Sequence, residues 1–264
     1  MAYAIVNNAT LVNTTTTQTV NYTQNYTVGS GSDRCLVIFC HGYKNFASND
    51  FTVTPIDITV DGVAIPSGNK VVAQNLSTSF FTVGNYFIAP PSGVVSIVIT
   101  NSFTLRWFSA QVIELTGIDQ TTPRIGAAAG YSTGNQTSRT ITGTPSSADN
   151  GVFITGAGFD IVNNASNTSI SNGGTLIIAQ NTPGSTASND GTWAAGYETA
   201  PGVATGHTYD WVVSGRTSIV GFYLKDSVVT SINKLRTGTA TPDKFYNNTT
   251  QVTKMFAGTT PVLT

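Results

Sequence analysis

Apolar and polar positions alternate along most of this chain, in short runs broken by Gly, Asn, Asp and Pro. QTVNYTQNYTV (18–28) sends every second side chain to one face and stops at GSGSD (29–33). A period of two is that of a half-buried strand. RCLVIFC (34–40) is apolar on both faces and predicts a central strand. FTVTPIDITVDGVAI (51–65) predicts a strand, then an alternating strand that turns at Asp61-Gly62. Asp-Gly suits a two-residue hairpin because both positions take φ > 0. SFFTVGNYFIAP (79–90), GVVSIVITN (93–101) and LRWFSAQVIELTG (105–117) extend the series. TSRTITG, NGVFITGAGFD, GTLIIAQN, TWAAGYETA, HTYDWVVSG and TSIVGFYLKD carry it to Asp226. No segment holds a capped 3.6-residue period. Such strands predict an all-β fold, an antiparallel β-sandwich or jelly roll over 1–226, with VSIVIT and AQVIEL filling the space between two sheets.

Composition agrees. Charged residues are 9% of the 264-residue chain, against roughly 25% in ordinary domains. Thr and Val suit pleated strands, while Asn, Gly and Ser suit turns. The net charge is −1 with no basic run, so the footprint of a nucleic-acid binder is absent. No apolar stretch is long enough for a membrane-spanning helix. MAYAIVNNATLVN has neither a basic n-region nor an apolar h-region, so no secretory signal is expected. Cys35 and Cys40 are five residues apart on one predicted strand and point to opposite faces, as free thiols.

One motif suggests chemistry. GYSTG (130–134) matches the serine-hydrolase elbow G-x-S-x-G, and LVIFCHG (36–42) resembles an oxyanion-loop opening. Asp160, Asp190 and His207 follow Ser132 in the order of a triad. The elbow, however, needs a buried strand before its serine and a helix after it. Before Ser132 lies PRIGAAAGY and after it the alternating GNQTSRTITGTP, so Ser132 is expected in a turn or at a strand edge. His41 reads as a polar residue at a strand end. Glycoside hydrolysis would need two carboxylates in one cleft. The only glutamates are Glu114, expected to point outward from a strand, and Glu198. No enzyme activity, metal or cofactor is expected. Trp107 and Trp211 lie in apolar strands and read as core, while Trp193 follows a loop and is the candidate glycan contact.

After Asp226, SVVTSINKLRTGTATPD (227–243) reads as a linker. The end, 244–264, repeats itself at a ten-residue period: KFYNNTTQV (244–252) and KMFAGTTPV (254–262). Each unit predicts a hairpin, with Asn247-Asn248 and Ala257-Gly258 at the turns. Isolated hairpins are marginal in water. Phe245, Tyr246, Val252, Met255, Phe256 and Val262 are therefore the candidate attachment or oligomerisation residues.

These residues carry a resemblance. KFYNNTTQVTKMFAGTTPV is similar to a C-terminal motif, roughly K-V-Y-x-G-x-T-x-V, recurrent in bacteriophage virion proteins, with Asn248 where glycine is usual. YFIAPPSGVVSIVIT, VIELTGIDQTTP (112–123) and the WAAGYETAPG…FYLKD segment resemble a phage and bacterial sandwich family. The resemblance implies a virion structural protein (fibre, head decoration or tail component) assembled in the host cytoplasm. Its implied partners are other virion proteins, copies of itself in a homo-oligomer with a trimer favoured, and host surface glycans. A free carbohydrate-binding module is the alternative.

Overall fold

The structure is a computed structural model. It describes residues 3–14, 21–44, 56–75, 80–101, 105–147, 149–160, 165–182, 191–200 and 203–227. In the tail it describes 246–247, 250–251, 255–257 and 260–263. The chain divides into two units, Met1–Ser227 and Val228–Thr264.

The first unit is antiparallel β throughout its paired strands. It opens with β1 (Ala4–Thr14), β2 (Asn21–Val28), β3 (Cys35–Lys44), β4 (Ile56–Val60), β5 (Val63–Ala64), β6 (Lys70–Asn75), β7 (Phe80–Ile88), β8 (Gly93–Asn101) and β9 (Leu105–Thr116). These form two facing sheets, β1-β9-β3-β7-β6 and β2-β8-β4-β5. That order is a jelly roll, in which the first strand lies beside the last and the second beside the penultimate. The turn expected at Asp61-Gly62 is present: Val60 pairs with Val63, and the two turn residues have φ of 48° and 76°.

The next half repeats the plan. It comprises β10 (Arg124–Tyr131), β11 (Gln136–Gly143), β12 (Gly151–Asp160), β13 (Ser169–Ser171), β14 (Thr175–Asn181), β15 (Thr192–Ala200) and β16 (Thr205–Lys225). HTYDWVVSG and TSIVGFYLKD, expected as two strands, are one 21-residue strand. Its first half pairs with β11 and β13, and its second half with β10 and β12. The order β10-β16-β12-β15-β14 reproduces β1-β9-β3-β7-β6 strand for strand. The 1–226 region thus holds two tandem sandwiches of one topology. The duplication leaves a trace in sequence: Tyr86-Phe87-Ile88-Ala89-Pro90 and Tyr197-Glu198-Thr199-Ala200-Pro201. The two tyrosines sit opposite Val37 and Ile154 on equivalent central strands.

The four sheets stack, with three apolar layers between them. Leu36, Ile38, Cys40, Val83, Ile97 and Val112 fill the first sandwich, and Phe153, Phe159, Tyr209 and Trp211 the second. Between the sandwiches lies a third layer, the seam, built on Val37, Phe39, Tyr86, Ile154, Val220 and Phe222. At one edge of the seam β1 meets β14: Thr10 Oγ1 donates to Gln180 Oε1 (3.0 Å) and Asn13 Nδ2 to the Asn181 carbonyl (2.9 Å). At the other edge β6 meets β10. Because β1 corresponds to β10 and β6 to β14, equivalent strands exchange across the seam, as a two-fold rotation requires.

This stacking explains the unbroken apolar run LVIF. β3 is covered on both faces, and Cys35 through Gly42 are all buried. Cys35 faces the seam and Cys40 the first sandwich's interior, both as free thiols. The connector 117–123 is held locally. Asp119 Oδ1 accepts from Thr121 N (2.8 Å), Thr121 Oγ1 (2.8 Å) and Thr122 N (2.9 Å). Burial raises the Asp119 pKa, but these bonds and the Lys225 charge outweigh it and hold the carboxyl below its ordinary range.

Glu114 departs from expectation. It points inward, 1% exposed, because β9 is a central strand covered on both faces. Tyr26 Oη donates to its Oε2 (3.1 Å) and Gly29 N–H to its Oε1 (2.9 Å). Removing the carboxylate strands both donors, and an unpaired buried donor costs about 1–3 kcal/mol. Glu114→Ala is expected to lower stability by about 3 kcal/mol and Glu114→Gln by less, read as a shift in urea midpoint at constant slope.

In the second unit, β17 (Tyr246–Asn247) pairs with β18 (Thr250–Gln251), and β19 (Met255–Ala257) with β20 (Thr260–Leu263). Tyr246↔Gln251 and Phe256↔Pro261 stand at the same ten-residue offset as the sequence repeat. The turns differ from expectation by one residue: Asn247 and Ala257 pair with Thr250 and Thr260, so they end strands. Phe245 and Val252 lie outside the described residues.

Candidate functional site

The triad offered by the sequence is not assembled. Ser132 follows β10, where its Oγ accepts from Thr217 N–H (2.8 Å) and its own N–H donates to the Thr217 carbonyl (2.8 Å). Asp160 pairs with Arg216. His207 lies in the second sandwich's interior, opposite Ile141 and ten residues along β16 from Thr217. Asp190 lies outside the described residues.

His207 belongs to a different network. Its Nδ1 is 2.7 Å from Thr155 Oγ1, which is 2.8 Å from Tyr209 Oη. Tyr209 Oη also donates to the Thr155 carbonyl (3.2 Å). Glu198 Oε2 is 3.7 Å from His207 Nε2, beyond hydrogen-bond length. Burial pushes the imidazole down to about 4 and raises the Glu198 carboxyl, so both drift toward neutrality. Thr155 is fully buried, and the network ties β12 to β16. Glu114 and Glu198 occupy different sandwiches and share no cleft.

The polar end of the seam holds the other histidine. Asn13, Ser109, His41 and Thr82 form one row across β1, β9, β3 and β7. His41 Nδ1 is 3.0 Å from Thr82 Oγ1, which lies 2.6 Å from Ser218 Oγ on the facing sheet. His41 was expected at a strand end. β3 instead runs to Lys44 and buries it fully, which pushes its pKa down to about 3. Trp193 stacks on it, with ring centroids 6.2 Å apart and planes 11° apart. The expectation of Trp193 as a glycan contact is therefore corrected. It is 0% exposed, because its strand position faces the seam, not the solvent. Trp107 and Trp211 are buried, as read.

The open feature lies at the other seam edge, where β6 and β10 border a groove of about 450 Å³. Gln74 lines one wall and Gly130 and Tyr131 the other, and Arg139 of β11 also lines it. Tyr131 is 44% exposed. The Arg139 Nε is buried and has no hydrogen-bond partner. The sequence carries no signal for this site: Tyr131 falls within the elbow motif, and neither the short β6 nor the small-residue β10 shows the alternation of a strand. Among the described residues no group of three or more His, Cys, Asp or Glu is placed to hold a metal ion, and no helix is long and apolar enough to cross a membrane. Comparison with protein-family models, curated proteins and solved structures found no match.

Proposed function

We propose that this protein is a structural component of a bacteriophage virion, displayed at the particle surface and joined to it through 244–264. The observation that carries the reading is the C-terminal unit: two hairpins at a ten-residue repeat, in a motif resembling the ends of phage virion proteins. The body is consistent with it. Hydroxyl and amide side chains pair on its exposed surface, as in Thr140 Oγ1–Thr208 Oγ1 (2.7 Å) and Asn172 Nδ2 donating to Thr208 Oγ1 (2.8 Å). Ordering roughly 20 tail residues costs ~1–2 kcal/mol each in backbone entropy. A handful of apolar side chains returns only ~1.5–3 kcal/mol apiece. The tail therefore needs a partner surface, which is the chain's own sandwich, another virion protein or symmetric copies of itself, with a trimer favoured.

Deleting 244–264 is expected to leave a soluble, cooperatively melting β domain that no longer enters particles. Full incorporation of the truncated chain, or failure of the body to fold, would overturn the proposal. A carbohydrate-binding module is the second reading, favoured by the groove between β6 and β10, beside the exposed Tyr131.

A further inference from the structure

We propose that β10 is an association edge, along which a second copy of this chain pairs its own β10 antiparallel and continues the sheet from one molecule into the next. The contact is made by the body of the protein, so it goes beyond the virion reading and does not depend on it.

The register of β10 shows which of its backbone groups are free for this. Ser132 N–H donates to the Thr217 carbonyl, continuing the register in which Tyr131 stands opposite Ser218. In an antiparallel ladder, hydrogen-bonded and non-hydrogen-bonded pairs alternate. Gly130 and Ala128 therefore bond to β16, while Ala127, Ala129 and Tyr131 turn their N–H and C=O groups outward. Ile125 continues that series, and its carbonyl accepts from Ser146 N–H. Among the described residues no strand pairs with the outer side of β10, which ends its sheet.

The groove lies along this edge. Ala129, Gly130 and Tyr131 are consecutive and alternate between the two faces of β10, as Val72, Ala73 and Gln74 do on β6, yet all six line it. What each trio has in common is its strand edge. Such an edge is a template for another strand unless charge, proline or a bulge blunts it. The counterpart strand β1 carries two register shifts. Ala127–Tyr131 holds no charged residue and no proline, and it pairs with β16 without a shift.

A second copy is favoured over an unrelated peptide because the stretch is complementary to itself. A two-fold axis at Ala129, perpendicular to the sheet, sets Ala129 opposite its own copy and Ala127 opposite Tyr131 of the second copy. All of these are hydrogen-bonded pairs, so every outward N–H and C=O of the three residues finds a partner. The small Ala127 leaves room for the Tyr131 ring, which is exposed in the single chain. The same rotation leaves the first sandwiches of both copies on one side of the joined sheet.

The test is sedimentation equilibrium of the full chain and its variants, with cross-linking and hydrogen exchange. The wild type is expected to associate in an even number of copies. Ala129→Lys sets two ammonium groups against each other at the axis and should at least halve the mass, with the far-ultraviolet circular dichroism unchanged. Tyr131→Ala should weaken the association by about tenfold. At the axis the two Ala129 Cα atoms would stand about 5.5 Å apart, within the reach of a disulfide. Ala129→Cys should therefore form an intermolecular disulfide under mild oxidation, while Ser138→Cys, at an exposed position of β11, should not. Cys35 and Cys40 are buried and do not compete. The amides of Ala127, Ala129 and Tyr131 should exchange slowly in the wild type and fast in Ala129→Lys. A wild type of one or three copies, a cross-link at Ser138→Cys but not at Ala129→Cys, or unchanged association in Ala129→Lys overturns the proposal. Should Ala129→Lys fail to fold, the Ala129→Cys cross-link and the exchange of the three wild-type amides decide it.

Discussion

Lowering the pH from 7 to 4.5 is expected to remove about 5 kcal/mol of folding stability, through two histidines alone. Burial holds His41 near 3 and His207 near 4 in the folded chain, against about 6.5 when unfolded. A depressed histidine pKa means the unfolded state binds the proton first. Stability is therefore fully present above about pH 6.5 and is lost as the pH falls toward the folded values. Each group contributes a slope of ~1.4 kcal/mol per pH unit in that window. Glu198 and Asp226, raised by burial, act in the opposite sense and offset part of the loss at its acid end. Urea unfolding at several pH values between 7 and 4.5 measures the slope. His207→Gln should halve it, and a flat profile above pH 5 would show that neither imidazole is held neutral.

The second large effect lies in the seam. Phe39 is fully buried, with its ring 6.3 Å from that of Phe222, and Tyr86 packs edge-on to Phe222 at 5.3 Å. Gly156 of the facing sheet approaches so closely that a Cβ there would lie 2.4 Å from Phe39 Cγ and 2.9 Å from its Cβ. Phe39→Ala should cost about 3–5 kcal/mol through lost burial and a cavity. Gly156→Ala should cost about 1–3 kcal/mol, because the clash falls on the root of a pinned ring, not on a flexible end. The double variant should cost at least ~1 kcal/mol less than the sum, since removing the ring makes room for the methyl group. Strict additivity in denaturant midpoints would show that the sandwiches do not stack through this contact.

The strands that the sequence made legible are those whose alternation or apolar content is strong, such as β3, β8, β9 and β12. β10 was missed because RIGAAAGY carries little apolar contrast. It is an edge strand whose small side chains allow close approach, as where Gly126 would bring a Cβ within 2.8 Å of the Thr144 carbonyl. β6 and β13 are short, and β1 pairs through two register shifts that blur its period. The groove was illegible for the same reason, since both strands that border it went unread.

Alternation along the chain determined the all-β class, the jelly-roll kind of sandwich, the Asp61-Gly62 hairpin, the opposed cysteines and the tail repeat. All of these follow from neighbours a few residues apart. The duplication, the seam, the inward turn of Glu114 and the burial of Trp193 and His41 were decided only by tertiary structure. A period of two says that a strand has two faces, but not what covers each. Glu114 is tolerated inside because Gly29, 85 positions away, donates to it. Trp193 is hidden because the first sandwich, built to the same plan, lies against its sheet and stacks His41 on the ring.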